Sequence, residues 1–193
     1  MRKSMHRSMD MNRRILITGG SRGIGAGIAE AAARRGWTNL LVSRTASAMQ
    51  GLLDKWQQAG FKQEHCFLAQ DLSAPDAMRR LLGWLDEVGY PDTVVHNAAV
   101  GHFGPFSTTS LEGHANTVAL GVRTTIDLTY ALLPHLTKTA GSYLVYVGST
   151  SGRKPVPYMS VYSSAKAFVH NFAFALREEL RGGPTKVLLV VPG

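Results

Sequence analysis

The sequence has little that would support a disulfide-linked, membrane-spanning or metal-binding protein. A single cysteine, Cys66, excludes an internal disulfide within these 193 residues. No uninterrupted apolar run approaches the roughly 20 residues that a membrane-spanning helix needs, so we expect no membrane partner. The seven histidines do not pair with cysteines or acids at the spacing of metal ligands, even at His96 and His102. We therefore expect no metal site.

Acidic residues are also scarce: 13 stand against 21 basic ones, which gives a net charge of +8. No long basic run with interleaved aromatic residues occurs, so we expect no nucleic-acid partner. Residues 1–13 are basic and lack the apolar stretch of a secretory signal. We interpret them as a disordered tail, or as the product of an upstream start codon with Met11 as the functional start. The lone cysteine and the missing signal predict a cytoplasmic protein.

From residue 14 onward, short apolar runs alternate with helical patterns. These runs show no polar alternation, which is typical of strands buried on both faces, as in a parallel sheet between two layers of helices. A long helix is predicted over about 111–136, and Ser73 is predicted to cap the helix before it. Residues 14–193 therefore read as one doubly wound α/β domain with three α/β/α layers. The six predicted strands are RRILITG, NLLVSR, EHCFLAQDL, TVVHNAAV, GSYLVYVGS and KVLLVVPG.

The first strand leads into a glycine-rich loop, TGGSRGIG, which opens the first helix. Its glycines allow a tight turn and a close approach of the backbone to a pyrophosphate. The start of the helix directs unpaired N–H groups and the positive end of its dipole at phosphate oxygens. A dinucleotide site is therefore predicted at this loop.

The spacing Gly-x-x-x-Gly-x-Gly differs from that of most dinucleotide-binding domains. With the preceding threonine it resembles the first loop of the short-chain dehydrogenase/reductase family, and the resemblance extends over residues 14–193. It implies a Rossmann fold with strand order 3-2-1-4-5-6 and a bound nicotinamide dinucleotide. The cofactor contacts that it implies are Thr18, Gly19, Ser21, Arg22, Gly23, Ile24, Gly25, Asp71, Leu72, Asn97, Ala98, Tyr162, Lys166, Pro192 and Gly193.

The second strand indicates which dinucleotide is bound. Ser43 stands where an acidic residue would bind the ribose 2'-hydroxyl, and Arg44 follows it. A guanidinium can form charge-assisted hydrogen bonds to a 2'-phosphate, and Arg22 could supply a second cation. NADP(H) is therefore the predicted cofactor, although two solvated surface arginines would give the same pattern.

Tyr162 and Lys166 are four residues apart in YSSAK, so a helix places them on one face. That spacing alone is common, but Ser149 lies 13 residues before Tyr162, at the end of the fifth predicted strand. The three residues resemble the catalytic triad of the family. A free tyrosine has a pKa of about 10, and a nearby ammonium favours the phenolate.

The resemblance implies that Ser149 holds the substrate oxygen and that Tyr162 acts as general acid and base. Lys166 would assist Tyr162 and bind the nicotinamide ribose. The predicted function is an NADP(H)-dependent oxidoreductase that interconverts a small-molecule carbonyl, a ketone or aldehyde, and an alcohol. The alternative is a non-catalytic NADP(H)-binding or redox-sensing protein on the same fold.

Three features depart from the family pattern. Gly121 occupies the position of an asparagine that extends a proton relay, and the nearest asparagine is Asn116. Ala99 replaces a glycine, which is costly only if the backbone there has positive φ. The sequence stops at Pro192-Gly193, where family members continue, so we interpret the chain as a fragment or an incomplete gene product.

Family members often pair through two helices, which correspond here to the predicted 111–136 helix and the helix that carries YSSAK. The stretch 168–176, FVHNFAFAL, is apolar on more sides than packing against one sheet requires. A homodimer or homotetramer through these helices is therefore predicted, and complete burial of the second helix within one chain is the alternative.

Overall fold

The computed structural model describes residues 13–193, so the first twelve residues of the predicted tail 1–13 and the alternative start at Met11 lie outside the described residues. Arg13 already contacts the fold, because its guanidinium lies 3.5 Å from a carboxylate oxygen of Asp92. The strands are β1 (Arg14–Thr18), β2 (Thr38–Ser43), β3 (Cys66–Ala69), β4 (Thr93–His96), β5 (Tyr143–Val147) and β6 (Lys186–Val190). The α-helices are α1 (Gly23–Arg34), α2 (Ala46–Gln58), α3 (Ala77–Val88), α4 (Leu111–Val118), α5 (Thr124–Leu136) and α6 (Ser160–Glu179).

All six strands form one parallel sheet in the order β3-β2-β1-β4-β5-β6. The first strand in the sequence is therefore central and pairs with β2 on one side and β4 on the other. This order reverses direction between β1 and β4, which is where open α/β sheets bind ligands. The predicted Rossmann topology is confirmed.

Both faces of the sheet are covered by apolar packing. Leu16 points to the face that carries α3, α5 and α6, where it packs with residues such as Leu81 and Leu132. Ile15 and Ile17 point to the other face and pack with residues of α1 and α2, among them Trp56. This two-sided burial explains why the strands are uniformly apolar. Among residues 13–193, no helix combines the length and the apolar character needed to cross a bilayer.

The helix predicted over 111–136 is present, but a wider π-helical turn, Ala119–Arg123, separates α4 from α5. The hydroxyl oxygen of Thr124 lies within hydrogen-bond distance of the carbonyl oxygens of Ala119 (3.0 Å) and Leu72 (2.9 Å), which share its single proton. The Thr125 hydroxyl donates to the Gly121 carbonyl at 3.1 Å. These hydroxyls provide partners for carbonyls around the wider turn.

The predicted Ser73 cap is wrong. Helix α3 begins at Ala77, after Asp76, and no side chain caps its start. The Ser73 hydroxyl instead donates to a carboxylate oxygen of Asp71 at 2.6 Å, and the Ser73 N–H donates to the same oxygen at 2.9 Å. Ser73 therefore belongs to the turn that fixes Asp71 after β3, not to the helix.

Candidate cofactor cleft and active site

A cleft of about 290 Å³ opens at the carboxyl ends of β1 to β4. Most of the residues predicted to contact a cofactor line it, including those of the glycine loop and those that follow β2, β3 and β4. The predicted cofactor residues in its lining are Gly19, Ser21, Arg22, Ile24, Ser43, Arg44, Asp71, Leu72, Asn97 and Ala98.

Thr18 and Asn97 join the start of the glycine loop to the end of β4. The buried Thr18 hydroxyl accepts hydrogen bonds from the backbone N–H groups of Asn97 and Ala98, both at 3.0 Å. The Asn97 side-chain amide donates to the carbonyl oxygens of Thr18 (3.0 Å) and Gly19 (3.1 Å). The hydrogen bonds of Thr18 thus hold the floor of the cleft, whereas Asn97 also lines the cleft itself.

The loop needs its glycines for two different reasons. Gly19 and Gly23 have φ values of +66° and +56°, in the left-handed region that side chains disfavour. At Gly25 the constraint is space, because a Cβ there would lie 2.3 Å from the Gly19 carbonyl oxygen and 2.6 Å from the Asn97 side-chain nitrogen. Only glycine therefore allows α1 to start this close to the loop.

The polar end of the cleft carries two exposed arginines, Arg22 and Arg44. The hydroxyl oxygens of the residues that precede them, Ser21 and Ser43, lie 2.8 Å apart and form a hydrogen bond. The pKa of Asp71 is lowered, mainly by its hydrogen bond from the Ser73 hydroxyl and also by the positive charge of Arg44. This end of the cleft therefore combines hydroxyl groups with two cations, which suits an anionic group.

Residues that the sequence did not point out complete the cleft. Gln70 is 5% exposed, and its side-chain oxygen has no hydrogen-bond partner within residues 13–193. Val42, Val100 and Leu120 add apolar wall. A narrow glycine cradle, an uncapped start of α1, two arginines and apolar walls together fit a nicotinamide dinucleotide.

Lys166 is buried on α6, with 5% of its surface exposed. Its Nζ donates to the carbonyl oxygen of Val147, the last residue of β5, at 2.7 Å. The same nitrogen lies 5.7 Å from the centroid of the Tyr162 ring. Burial lowers the pKa of Lys166 to about 8, so the ammonium form still predominates at neutral pH.

Ser149 and Tyr162 lie at the same end of β5. The Ser149 hydroxyl oxygen accepts a hydrogen bond from the Ser151 N–H at 3.1 Å, and the hydroxyl proton has no acceptor within residues 13–193. Tyr162 precedes Lys166 by one turn of α6 and is half-buried. These three side chains lie outside the lining of the cleft described above.

Gly101 connects the cleft to Tyr162, and the sequence analysis overlooked it. It follows Val100, which lines the cleft, and its Cα faces the Tyr162 ring. A Cβ at residue 101 would lie 2.6 Å from the ring carbon Cδ2. A glycine two residues after NAA was the available signal, but its partner lies 61 residues away in the sequence.

Two of the departures from the family pattern are at Ala99 and at Gly121. Within residues 13–193, Tyr158 is the only non-glycine residue with positive φ, so Ala99 carries its methyl group without backbone strain. Gly121 is buried in the π-helical turn, and a Cβ there would lie 3.2 Å from the Cβ of Ala165. Asn116 is exposed on α4.

Pro192 and Gly193 lie beyond β6, beside the Ser149 loop. The Pro192 carbonyl oxygen accepts a hydrogen bond from the Thr150 N–H at 3.2 Å, and Gly193 is exposed. The part of the chain that the structure describes contains no group of three or more His, Cys, Asp or Glu side chains that could hold a metal ion.

The sequence and the fold are similar to those of known proteins. The family model described as short chain dehydrogenase matches residues 13–193. The chain is 32% identical over 180 residues to a Pinus massoniana protein named 11-beta-hydroxysteroid dehydrogenase, covering 93% of this chain but only 50% of that protein. It is 34% identical over 187 residues to a Myxococcus xanthus protein named an uncharacterized oxidoreductase, covering 94% of this chain and 71% of that protein.

A solved structure shows the same architecture. The crystal structure of a metagenomic short-chain oxidoreductase in complex with NADP superposes with a TM-score of 0.85 at 30% identity. The alignment covers 94% of this chain and 82% of that one. The family model matches every described residue, including the glycine loop and the residues around the end of β5. The chain therefore belongs to the short-chain dehydrogenase/reductase family of oxidoreductases.

Proposed function

We propose that this protein is an NADP(H)-dependent oxidoreductase that interconverts a small-molecule ketone or aldehyde and the corresponding alcohol. Residues 14–193 act as its single NADP(H)-binding domain. The observation that carries the proposal is the position of Lys166, whose Nζ lies 5.7 Å from the centroid of the Tyr162 ring and donates to the Val147 carbonyl, two residues before Ser149. The name of the Pinus relative, a hydroxysteroid dehydrogenase, supports the same reaction class.

The preference for NADP(H) rests on charge. Arg22 and Arg44 line the polar end of the cleft, and Ser43 stands where an acid would repel a 2'-phosphate. The NADP complex of the metagenomic relative supports this choice. When bound, the cofactor supplies or accepts the hydride.

The side chains of this chain divide the proton chemistry between them. In reduction, the Ser149 hydroxyl donates a hydrogen bond to the carbonyl oxygen of the substrate, which its uncommitted proton permits. Tyr162 donates its phenolic proton to that oxygen as negative charge develops there, and it takes the proton back in oxidation. The ammonium of Lys166 stabilises the resulting phenolate.

We also propose a homodimer or homotetramer through α4, α5 and α6. An open apolar groove of about 540 Å³ lies between α4 and α6, lined in part by Val118, Val122 and Val161. Ile126 on α5 and Phe174 on α6 are 41% and 46% exposed. Such a surface supports association with a second copy, which sedimentation at several protein concentrations would detect.

The experiment that tests the activity combines binding with turnover. NADPH and NADH are titrated against the protein, and NADPH oxidation is followed with a panel of aldehydes, ketones and a 3-oxoacyl thioester. We expect Tyr162→Phe to lower turnover about 10²-fold or more while NADPH binding stays intact. Tyr90→Phe is the control, because within residues 13–193 the Tyr90 hydroxyl bonds only to the exposed Asp86 carboxylate.

Each outcome of this experiment distinguishes between the proposed functions. Turnover by the wild type that is lost in Tyr162→Phe supports the reductase. Unchanged turnover in Tyr162→Phe would remove Tyr162 from the mechanism. NADPH binding without turnover of any substrate would support the non-catalytic, cofactor-sensing alternative.

A further inference from the structure

A histidine lies directly behind the proposed catalytic serine. His170 is on α6, one turn after Lys166, and is 7% exposed. Its Nε2 accepts a hydrogen bond of 3.3 Å from the backbone N–H of Ser149. A Cβ at Gly148 would lie 2.4 Å from this Nε2, so only glycine at residue 148 lets the imidazole reach the backbone.

The other N–H groups in this segment have different kinds of partner. The Gly148 N–H donates to the Val190 carbonyl (2.8 Å), and the Thr150 N–H donates to the Pro192 carbonyl (3.2 Å). The Ser151 N–H donates to the Ser149 hydroxyl oxygen. Of these four N–H groups, the Ser149 N–H is therefore the one that bonds to a residue of α6, the helix that carries Tyr162 and Lys166.

Helix α6 therefore holds the end of β5 through two side chains one turn apart. Lys166 donates to the Val147 carbonyl, and His170 accepts from the Ser149 N–H two residues further along. Because both bonds start from the helix that carries Tyr162, they fix where Ser149 lies relative to Tyr162.

We propose that His170 is a positioning residue that sets the Ser149 hydroxyl against Tyr162, and that protonation of His170 releases Ser149. This inference rests on the proposed function of Ser149 and Tyr162. The bond requires an unprotonated Nε2, so His170 carries its proton on Nδ1 in the competent state. A doubly protonated imidazolium has no acceptor and cannot hold the Ser149 N–H.

The charges around His170 favour the neutral form. Burial has the largest effect on the pKa of His170 and lowers it. The nearby cations Arg153 and Lys166 lower it further, whereas the hydrogen bond from the Ser149 N–H raises it. Both charged groups that act on His170 are positive. The bond therefore persists at neutral pH and breaks on acidification, below the ordinary histidine range.

Two substitutions separate the hydrogen bond from the titration. His170→Gln keeps an acceptor near the position of Nε2 but does not titrate, and His170→Leu removes the acceptor. His135→Gln, near the end of α5, is the matched control. The readouts are the backbone amide resonance of Ser149 against pH, by ¹H–¹⁵N NMR of the NADPH complex, and the pH profile of kcat.

In the wild-type protein we expect the Ser149 amide resonance to titrate together with the His170 ring, and kcat to fall on the acid side with the same midpoint. His170→Gln should abolish the titration at Ser149 and flatten the acid limb while retaining most of the activity. His170→Leu should lower kcat about 10-fold with little change in the NADPH Kd. His135→Gln should behave like wild type.

A Ser149 amide that does not respond to His170 titration would overturn the proposal, as would an acid limb that His170→Gln leaves unchanged. The NMR readout needs no turnover. A protein that binds NADPH but reduces nothing would therefore refute the proposed function, while the Ser149 titration would still decide the role of His170.

Discussion

The ammonium of Lys166 and the carbonyl oxygen of Val147 form a 2.7 Å hydrogen bond beneath the proposed active site. A buried ammonium is thus held by a neutral backbone dipole, and no carboxylate pairs with it among the residues that the structure describes. The fold therefore keeps a cation next to Tyr162 at the cost of desolvating it.

The first prediction concerns the stability that this burial removes. The pKa of Lys166 is lowered from 10.5 to about 8 in the folded protein, so between these values the unfolded chain binds more protons. The free energy of unfolding contributed by Lys166 should therefore rise as the pH increases from about 8 to 10.5, by at most about 3 kcal/mol. Urea unfolding of the wild-type protein at pH 7.5 and pH 10 measures it.

Lys166→Met is the reference, because it shares every other titrating group. The wild type should gain stability relative to Lys166→Met over this pH interval. A constant difference between the two proteins would show that Lys166 titrates normally in the fold.

The second prediction concerns cofactor choice. Arg44→Asp places a carboxylate at the polar end of the cleft, where it repels a 2'-phosphate and can accept from a ribose hydroxyl. We expect the ratio of the NADPH and NADH dissociation constants to shift at least about 10-fold toward NADH. Arg80→Asp makes the same charge change at an exposed position on α3 and should leave the ratio unchanged. An unaltered ratio in Arg44→Asp would mean that other groups recognise the 2'-phosphate.

The third prediction compares two glycines of α1. Gly25→Ala would push a methyl group to within 2.3 Å of the Gly19 carbonyl oxygen. We expect a loss of about 2 kcal/mol in unfolding free energy and much weaker NADPH binding. Gly27→Ala meets nothing within 4 Å and should stabilise the helix by about 0.5–1 kcal/mol. Equal effects of the two substitutions in thermal unfolding would contradict the crowding at Gly25.

The fourth prediction concerns the contact between Gly101 and Tyr162. A methyl group at residue 101 would lie 2.6 Å from the aromatic ring, so Gly101→Ala must displace Tyr162. We expect turnover to fall about 10-fold or more, with stability and NADPH binding nearly unchanged. Gly51→Ala, whose methyl group would meet nothing within 4 Å, is the control. Full activity in Gly101→Ala would show that the exact ring position is unimportant.

The sequence predicted most of the fold because its signals are local. Uniformly apolar runs specify two-sided burial of strands such as β1, and the glycine loop between β1 and α1 specifies where a dinucleotide binds. Tyr162 and Lys166 are likewise related by helix periodicity alone. The confirmed strand order came from the family resemblance, since strand spacing does not by itself order a sheet.

The remaining features depend on residues that are distant in the sequence. Gly101 matters because of Tyr162, and His170 because of Ser149 and the gap at Gly148. The π-helical turn depends in part on the Thr124 hydroxyl, which also bonds Leu72. Ser73 was misassigned because a serine before a helix is a common cap, whereas here the carboxylate of Asp71 captures its hydroxyl.

The junction between Thr18 and Asn97 links cofactor binding to the order in which the chain assembles. Its partners are separated by 79 residues, and the neighbouring β1–β4 pairing spans a similar loop. Closing a loop of that length costs conformational entropy, which the contacts offset only after the loop has closed. The cradle therefore cannot form while the first half of the chain folds alone. A dinucleotide that binds only the completed cradle therefore stabilises the whole sheet by mass action, by about 2.7 kcal/mol at a concentration 100 times its Kd.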